Sequence, residues 1–363
     1  MITLKSQKQK PDYLLALVVF GLVLFGLLMV YDASVVEAYQ KFSDKYFYLK
    51  QQARWIVLGL FSGLIFTKLD YKKLAKIAGI GMLIAIFLLV LVLIPGAGTK
   101  TLGAKRWINI AGFSLQPAEL TKIIFVLYLA SWLSKQRRFL PFLVLSGLIL
   151  GLIVLQPDLG TAVVIITSGF LVYFAAGAPL FYVSLLALLG VLGGLVLVWM
   201  SPYRRQRLLT FLDPTSDPLG ASYHIRQILI AVGSGGLFGL GLGKSRQKYE
   251  YLPAATTDSI FAVIAEEAGF FVSLIVILAF LFIIWRGISI AKETPDRFGQ
   301  LLAVGITSWL GIQSLINLAA MVALVPLTGV PLPFISYGGS SMVVSLTAVG
   351  ILLNISKNRV QRK

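Results

Sequence analysis

Residues 244–269 read KSRQKYEYLPAATTDSIFAVIAEEAG, and the rest of the chain can be read outward from them. Three cations, Lys244, Arg246 and Lys248, precede a Leu252-Pro253 break. Thr256-Thr257-Asp258 then leads directly into a long apolar run. Such a run opening on Thr-Thr-Asp predicts a helix N-terminus, where backbone N–H groups and the helix dipole favour an ionised carboxylate. Asp258 is therefore expected as a charged acid at the mouth of a membrane helix, with a basic strip just before it. That is how a base would be set beside a substrate carrying an anionic phosphate group. The plainer alternative is that Asp258 only caps its helix.

Composition sets the class. The chain has 58% hydrophobic and 13% charged residues, and apolar runs of about twenty residues recur along it, which excludes an ordinary soluble domain. Ten stretches are expected to span a membrane: 13–31, 47–66, 74–94, 115–133, 139–155, 159–174, 180–200, 260–285, 301–324 and 334–355. The first follows a short basic tail and reads as a membrane helix, not as a removable signal. The fold class expected is an all-α integral membrane protein, one polytopic domain over residues 1–363. A large extracytoplasmic loop, 201–257, would lie between the seventh and eighth spans. Basic connections such as TKLDYKKLAK, SKQRRF and RGISIAKETPDR alternate with less basic ones, which puts both termini in the cytoplasm.

The formal charge of +17 suits anionic lipid head groups or phosphorylated substrates. Nucleic acid is not expected as a partner, because the cations are scattered among loops. The absence of cysteine excludes disulfides, thiolate metal sites and thiol nucleophiles, and a single histidine, His224, excludes a multi-histidine zinc centre. Within the long loop, PYRRQRLLTFL and SYHIRQILIAV mix charge and apolar residues at helical spacing, as helices lying on a membrane surface do. His224 is read there as an interfacial side chain. GSGGLFGLGLGKS imitates a nucleotide-binding loop, but position 238 is Phe where that motif needs glycine, so no nucleotide is expected. Its glycines predict close backbone packing or a re-entrant turn.

An ionisable side chain inside a span costs about 2.5 to 3.5 kcal/mol unless paired or hydrated. Glu119 and Lys122, three apart, can neutralise one another. Arg106, Glu119, Lys122, Asp158 and Asp258 are all expected near one membrane face. Glu266 and Glu267 are read as a helix-packing lock. In PLPFISYGGSS, the hydroxyls either meet a sugar or satisfy loose backbone groups, the second being preferred.

The segments GAKRWINIAGFSLQPAELTK, QPDLGTA, PYRRQRLLTFLDPTSDPLG, GSGGLFGLGLGKSRQKYEYLP, TDSIFAVIAEEAG and PLPFISYGGSS, in this order, resemble the signature segments of the SEDS family, the FtsW, RodA and SpoVE group. GLGKSRQKYEYLP and DRFGQLLAVGI are closer to FtsW than to RodA. The chain departs from the family's Pro-Glu-x-His/Gln-Thr-Asp-Phe pattern at Ala254, Thr256 and Ser259, while Asp258 is kept.

The resemblance implies a peptidoglycan glycosyltransferase that polymerises lipid II at the outer face of the cytoplasmic membrane, in division or shape maintenance. It also implies a class B penicillin-binding protein as partner, with other divisome or elongasome membrane proteins. In that reading Asp258 is the base, and Lys244, Arg246 and Lys248 hold the pyrophosphate or glycan. Arg106 and Lys122 add anion contacts, and Glu119 with Asp158 position the others or a divalent cation, Mg or Mn. The alternatives are a lipid II flippase, which needs ionisable groups at mid-membrane depth, and a non-catalytic scaffold for the transpeptidase.

Overall fold

The computed structural model describes residues 10–96, 98–101, 104–110, 113–213, 220, 222–245 and 252–359. Among these are twelve helices and one small sheet. Each of the ten expected spans falls on a helix: α1 (Tyr13–Phe42), α2 (Phe47–Lys68), α3 (Tyr71–Leu91), α4 (Pro117–Leu133), α5 (Phe139–Leu155), α6 (Leu159–Ala175), α7 (Leu180–Trp199), α10 (Ile260–Glu293), α11 (Arg297–Met321) and α12 (Gly339–Ser356). Helices α1, α3, α7, α10, α11 and α12 are each long and apolar enough to cross a membrane. Two shorter helices, α8 (Pro202–Leu212) and α9 (Tyr223–Ser234), occupy the expected surface-lying stretches.

Several starts are set by aspartate. Asp12, Asp70, Asp158 and Asp296 each accept a hydrogen bond from a backbone N–H in the first turn of α1, α3, α6 and α11 respectively, replacing a partner the helix cannot supply. Helix α1 runs past the expected end at 31 because Ala, Glu, Gln and Lys continue it as good helix formers. It stops at Ser43, which turns left-handed at φ 54°.

The all-α expectation needs one correction. Residues 99–115 form a three-stranded antiparallel sheet, β1 (Thr99–Thr101), β2 (Ala104–Ile110) and β3 (Phe113–Leu115). The chain there is too polar to cross a bilayer, and its β-branched and aromatic residues suit paired strands. Helix α4 consequently begins at Pro117, where proline's missing N–H costs nothing, and not at 115. The last expected span likewise opens with non-helical backbone, and α12 starts only at Gly339.

Helix α11 is the central post, with most of its length buried, and α4, α6 and α10 pack around it. Helix α2 lies along α12 so closely that a Cβ on Gly350 would come within 2.2 Å of the Gly63 carbonyl oxygen. Small residues permit such approach where lipid gives no hydrophobic drive to helix pairing. Helix α7 stands at the other extreme, with no buried residue. The exposed Leu, Ile and Phe side chains of α1, α2, α3 and α7 form the apolar girdle that a bilayer covers.

The two ends of the bundle differ. At one end, Asp12 Oδ2 takes Arg286 Nε at 2.9 Å and Arg359 at 2.6 Å, tying α1, α10 and the chain after α12. Burial alone would raise the Asp12 carboxyl, but the Arg359 hydrogen bond, the Leu15 N–H and Arg286 together hold it below its usual range. Asn354 and Lys357 bind the Thr67 carbonyl at the same end, and Tyr71 meets Asp296. From Asp296, which meets Tyr71 at this end, to Asn317, which binds the Asp258 carbonyl, α11 rises roughly 30 Å at about 1.5 Å per residue, so Asp258 lies at the opposite end.

The glycine-rich stretch fulfils the close-packing expectation. Inside α10, Gly269 has φ 75° and ψ −171°, which breaks the helical ladder there. The freed groups are all answered by the hairpin after α9: Phe270 and Phe271 N–H donate to the Gly236 and Leu237 carbonyls, while Leu240 and Gly241 N–H donate to the Glu266 and Glu267 carbonyls. A Cβ on Gly269 would lie 2.2 Å from Gly239 N. Glu267 then accepts from Gly243 and Ser245 N–H at 3.1 and 2.9 Å, and the Ser245 hydroxyl donates to Glu266. The two glutamates thus fasten the hairpin to α10.

Candidate active site

Helix α10 begins at Ile260 with Ser259 as its N-cap residue, and Asp258 lies one residue earlier, on the 252–259 turn. Asp258 is half-buried, and its Oδ1 accepts from the Thr257 hydroxyl at 2.9 Å. No side chain caps α10. The capping alternative for Asp258 therefore has no hydrogen bond to support it among the described residues.

Three elements brace the turn. Asn317 of α11 donates through Nδ2 to the carbonyls of both Asp258 and Val330, each at 2.8 Å. The Ser336 hydroxyl donates to the Thr257 carbonyl at 2.6 Å and accepts from Leu332 N–H, and Tyr337 N–H donates to the Thr256 carbonyl. These bonds show the PLPFISYGG segment satisfying loose backbone groups. His224 of α9 meets Ser259 Oγ through Nε2 at 2.9 Å. Sequence reasoning missed this contact, because 35 residues separate the partners and a lone histidine on an amphipathic helix gives no local sign of it.

A strip at 327–330 joins these parts to the others. Arg207 of α8 donates to the Leu327 carbonyl at 2.8 Å, and its guanidinium sits 4.7 Å from the Tyr203 ring centre. The start of α6 abuts Thr328 and Val330 at Gly160, and a Cβ on Gly329 would lie 3.9 Å from Asp258 Oδ2. Beside the strip, between α8 and α9, lies a cavity of about 230 Å3 lined by Arg207, His224, Tyr203, Gln206 and Thr210 among others. Burial pushes the His224 imidazole below its ordinary value of 6.5, with Arg207 acting in the same direction and Asp258 in the opposite one. The ring is therefore held neutral at pH 7.

The remaining candidates sit as follows. Arg106 on β2 donates to the Gln156 carbonyl at 2.9 Å and to the Pro157 carbonyl, clasping the chain just before Asp158. Asp158 is buried, its Oδ1 on Thr161 N–H at 3.2 Å and its Oδ2 on Gln116 Nε2 at 3.1 Å. Glu119 and Lys122 make a 2.7 Å ion pair with side chains 3% and 2% exposed. Lys122 also donates to Gln313 at 2.7 Å, and Gln313 in turn holds the Pro331 carbonyl. Lys122 is thus enclosed, and its ties run to the segment that braces Asp258. Lys244 is exposed at the end of the glycine hairpin. Arg246 and Lys248 lie outside the described residues. Both oxygens of Asp158 are engaged and Glu119 is paired. Among the described residues no three His, Cys, Asp or Glu side chains converge.

A many-helix bundle with apolar helices long enough to cross a membrane, and a braced, half-exposed carboxylate at one end, defines a polytopic membrane protein. Residues 12–361 match the model of the FtsW/RodA/SpoVE cell cycle proteins. The chain belongs to that family.

It is 42% identical over 360 residues to stage V sporulation protein E of Bacillus subtilis (strain 168), covering 97% of this chain and 98% of that one. It is 41% identical over 353 residues to a probable peptidoglycan glycosyltransferase FtsW of Trichlorobacter lovleyi, covering 95% and 93%. Two solved structures share the fold. One is a chain from a study of how a peptidoglycan synthase complex coordinates polymerization and crosslinking (TM-score 0.79, 29% identity, 97% and 99% covered), and the other is the rod shape determining protein RodA of Thermus thermophilus (TM-score 0.71, 27% identity, 97% and 98% covered).

Proposed function

We propose that this protein is a peptidoglycan glycosyltransferase that polymerises lipid II at the outer face of the cytoplasmic membrane, with Asp258 as its base. The observation that carries the reading is the bracing of Asp258: the backbone of its turn is fixed by α9, α11 and the segment before α12, while the carboxylate stays half-exposed. A fixed acid at a polar edge is what proton abstraction from a sugar hydroxyl requires. Hydrolysis of a glycosidic bond needs a second carboxylic acid to protonate a poor leaving group. A lipid diphosphate leaves as a stable anion, so one base with nearby cations is sufficient.

The ten helices on expected spans serve as ten crossings, both termini in the cytoplasm, with α8, α9, the sheet and Asp258 outside. The clustering of Lys68, Lys72, Arg286, Arg297, Lys357 and Arg359 at the end opposite Asp258 supports that orientation. Arg106, Lys244, Arg246 and Lys248 are the cations for the diphosphate or glycan. Glu119, Lys122 and Asp158 keep the site in shape, and no step runs through a metal. Similarity to a chain of a peptidoglycan synthase complex supports a class B penicillin-binding protein as partner. A flippase needs a polar path through the bilayer, whereas the buried Lys122 and Gln313 are tied to each other and to neighbouring groups.

Polymerisation of labelled lipid II by purified protein in liposomes, with and without the transpeptidase, tests the assignment. Asp258→Asn should slow it by about 10² to 10⁴ while the protein stays folded. Polymerisation at the unaltered rate would remove Asp258 from the chemistry.

A further inference from the structure

We propose that His224 is a positioning residue of this site, holding the exit of the 253–259 turn, and Asp258 beside it, in the reactive orientation. The proposal rests on the assignment of Asp258 as the base. His224 stands on α9, which packs against α10. Its Nε2 faces Ser259 Oγ at 2.9 Å. The imidazole thus grips the exit of the turn, one residue after Asp258.

The neutral ring and the Ser259 hydroxyl share one hydrogen bond, in which either can be the donor. This use of Ser259 is costly elsewhere. A serine at the N-cap ordinarily accepts from the first-turn N–H groups of its helix, yet Ser259 makes no such bond, and its side chain is buried. The hydroxyl is committed to the histidine instead of the helix. Asn317 and Ser336 hold the Asp258 and Thr257 carbonyls, and His224 adds a hold on the Ser259 side chain next to them.

Two charged groups face the ring: Asp258 from its own turn and Arg207 from α8. The ring also borders the cavity between α8 and α9, which gives it a route for proton exchange. Protonation would fix a hydrogen on Nε2, leave Ser259 only the acceptor's part, and set a cation beside Asp258. Both changes disturb the orientation that the neutral ring maintains.

Because His224 is the only histidine, every imidazole signal in an untagged preparation belongs to it. An NMR titration of the full-length chain in detergent should give a midpoint below 6.5, lower still in Asp258→Asn and higher in Arg207→Gln. In lipid II polymerisation, His224→Ala should reduce kcat about ten- to a hundredfold with KM little changed, as a displaced but intact base would. His224→Gln, whose amide can also hydrogen-bond the Ser259 hydroxyl, should recover most of that loss, and its acid limb should shift to lower pH. A midpoint that Asp258→Asn leaves unmoved would overturn the proposal. So would full activity in His224→Ala, or no recovery in a folded His224→Gln. If the wild-type chain polymerises nothing, the glycosyltransferase reading fails by itself, and the titration alone decides whether His224 and Asp258 are linked.

Discussion

Lys122→Met separates two readings of the enclosed ion pair. The ammonium sits 2.7 Å from Glu119, 2.7 Å from Gln313 and 5.2 Å from the Trp309 ring centre, with its side chain 2% exposed. Methionine keeps most of the stem's volume and removes the charge, which strands a buried carboxylate. Breaking a buried pair from one side costs about 3 to 5 kcal/mol, or roughly two to four decades in the folded-to-unfolded ratio. Replacing both partners, Glu119→Gln with Lys122→Met, removes the stranded charge and should restore most of the stability. Thermal unfolding of the purified variants in detergent, followed by loss of the monodisperse species, reads the difference. Polymerisation measured well below those midpoints reads any catalytic effect separately. If Lys122→Met unfolds with the wild type but shows a raised KM for lipid II, the enclosed pair is not what holds this region, and Lys122 touches substrate.

Two further outcomes follow from the packing. Gly269→Ala meets both a backbone region closed to side chains and Gly239 N at 2.2 Å, so it should cost at least about 1 to 3 kcal/mol and raise hydrogen exchange across 235–243; unchanged exchange would contradict the hairpin's dependence on that kink. Asp12 has a lowered folded pKa, so its contribution is present above the unfolded value near 3.8 and is lost as pH falls through the lower folded one. Asp12→Asn should therefore unfold at a lower temperature than the wild type at pH 7, with the gap closing below about pH 3.8. A gap that persists unchanged in acid would point to packing and not charge.

The spans were legible because a helix that faces lipid must be apolar along about twenty residues, and that demand is local. The strands at 99–115 were not, since three short segments in a polar loop carry too few alternations to outweigh the glycines beside them. Asp258 could be singled out from Thr-Thr-Asp and the cations before it. What braces it could not, because Asn317, Ser336 and His224 reach Asp258, Thr257 and Ser259 from 59, 79 and 35 residues away, and each looks ordinary in its own segment. Glu119 and Lys122 were legible as a pair from their spacing, but their enclosure depends on Gln313 and Trp309 of α11.

The hairpin and the kink in α10 also bear on how the chain is made. Ribosomes deliver residues 235–241 before residues 266–271, yet the N–H groups of Leu240 and Gly241 have their acceptors in the later stretch. Exposed Leu237, Phe238 and Leu242 draw the hairpin toward lipid, where an unmet N–H is costly. Until α10 is synthesised, the nascent hairpin therefore has to remain hydrated. Insertion of this piece runs against the direction of translation: the hairpin, made first, can settle only after the α10 stretch that follows it.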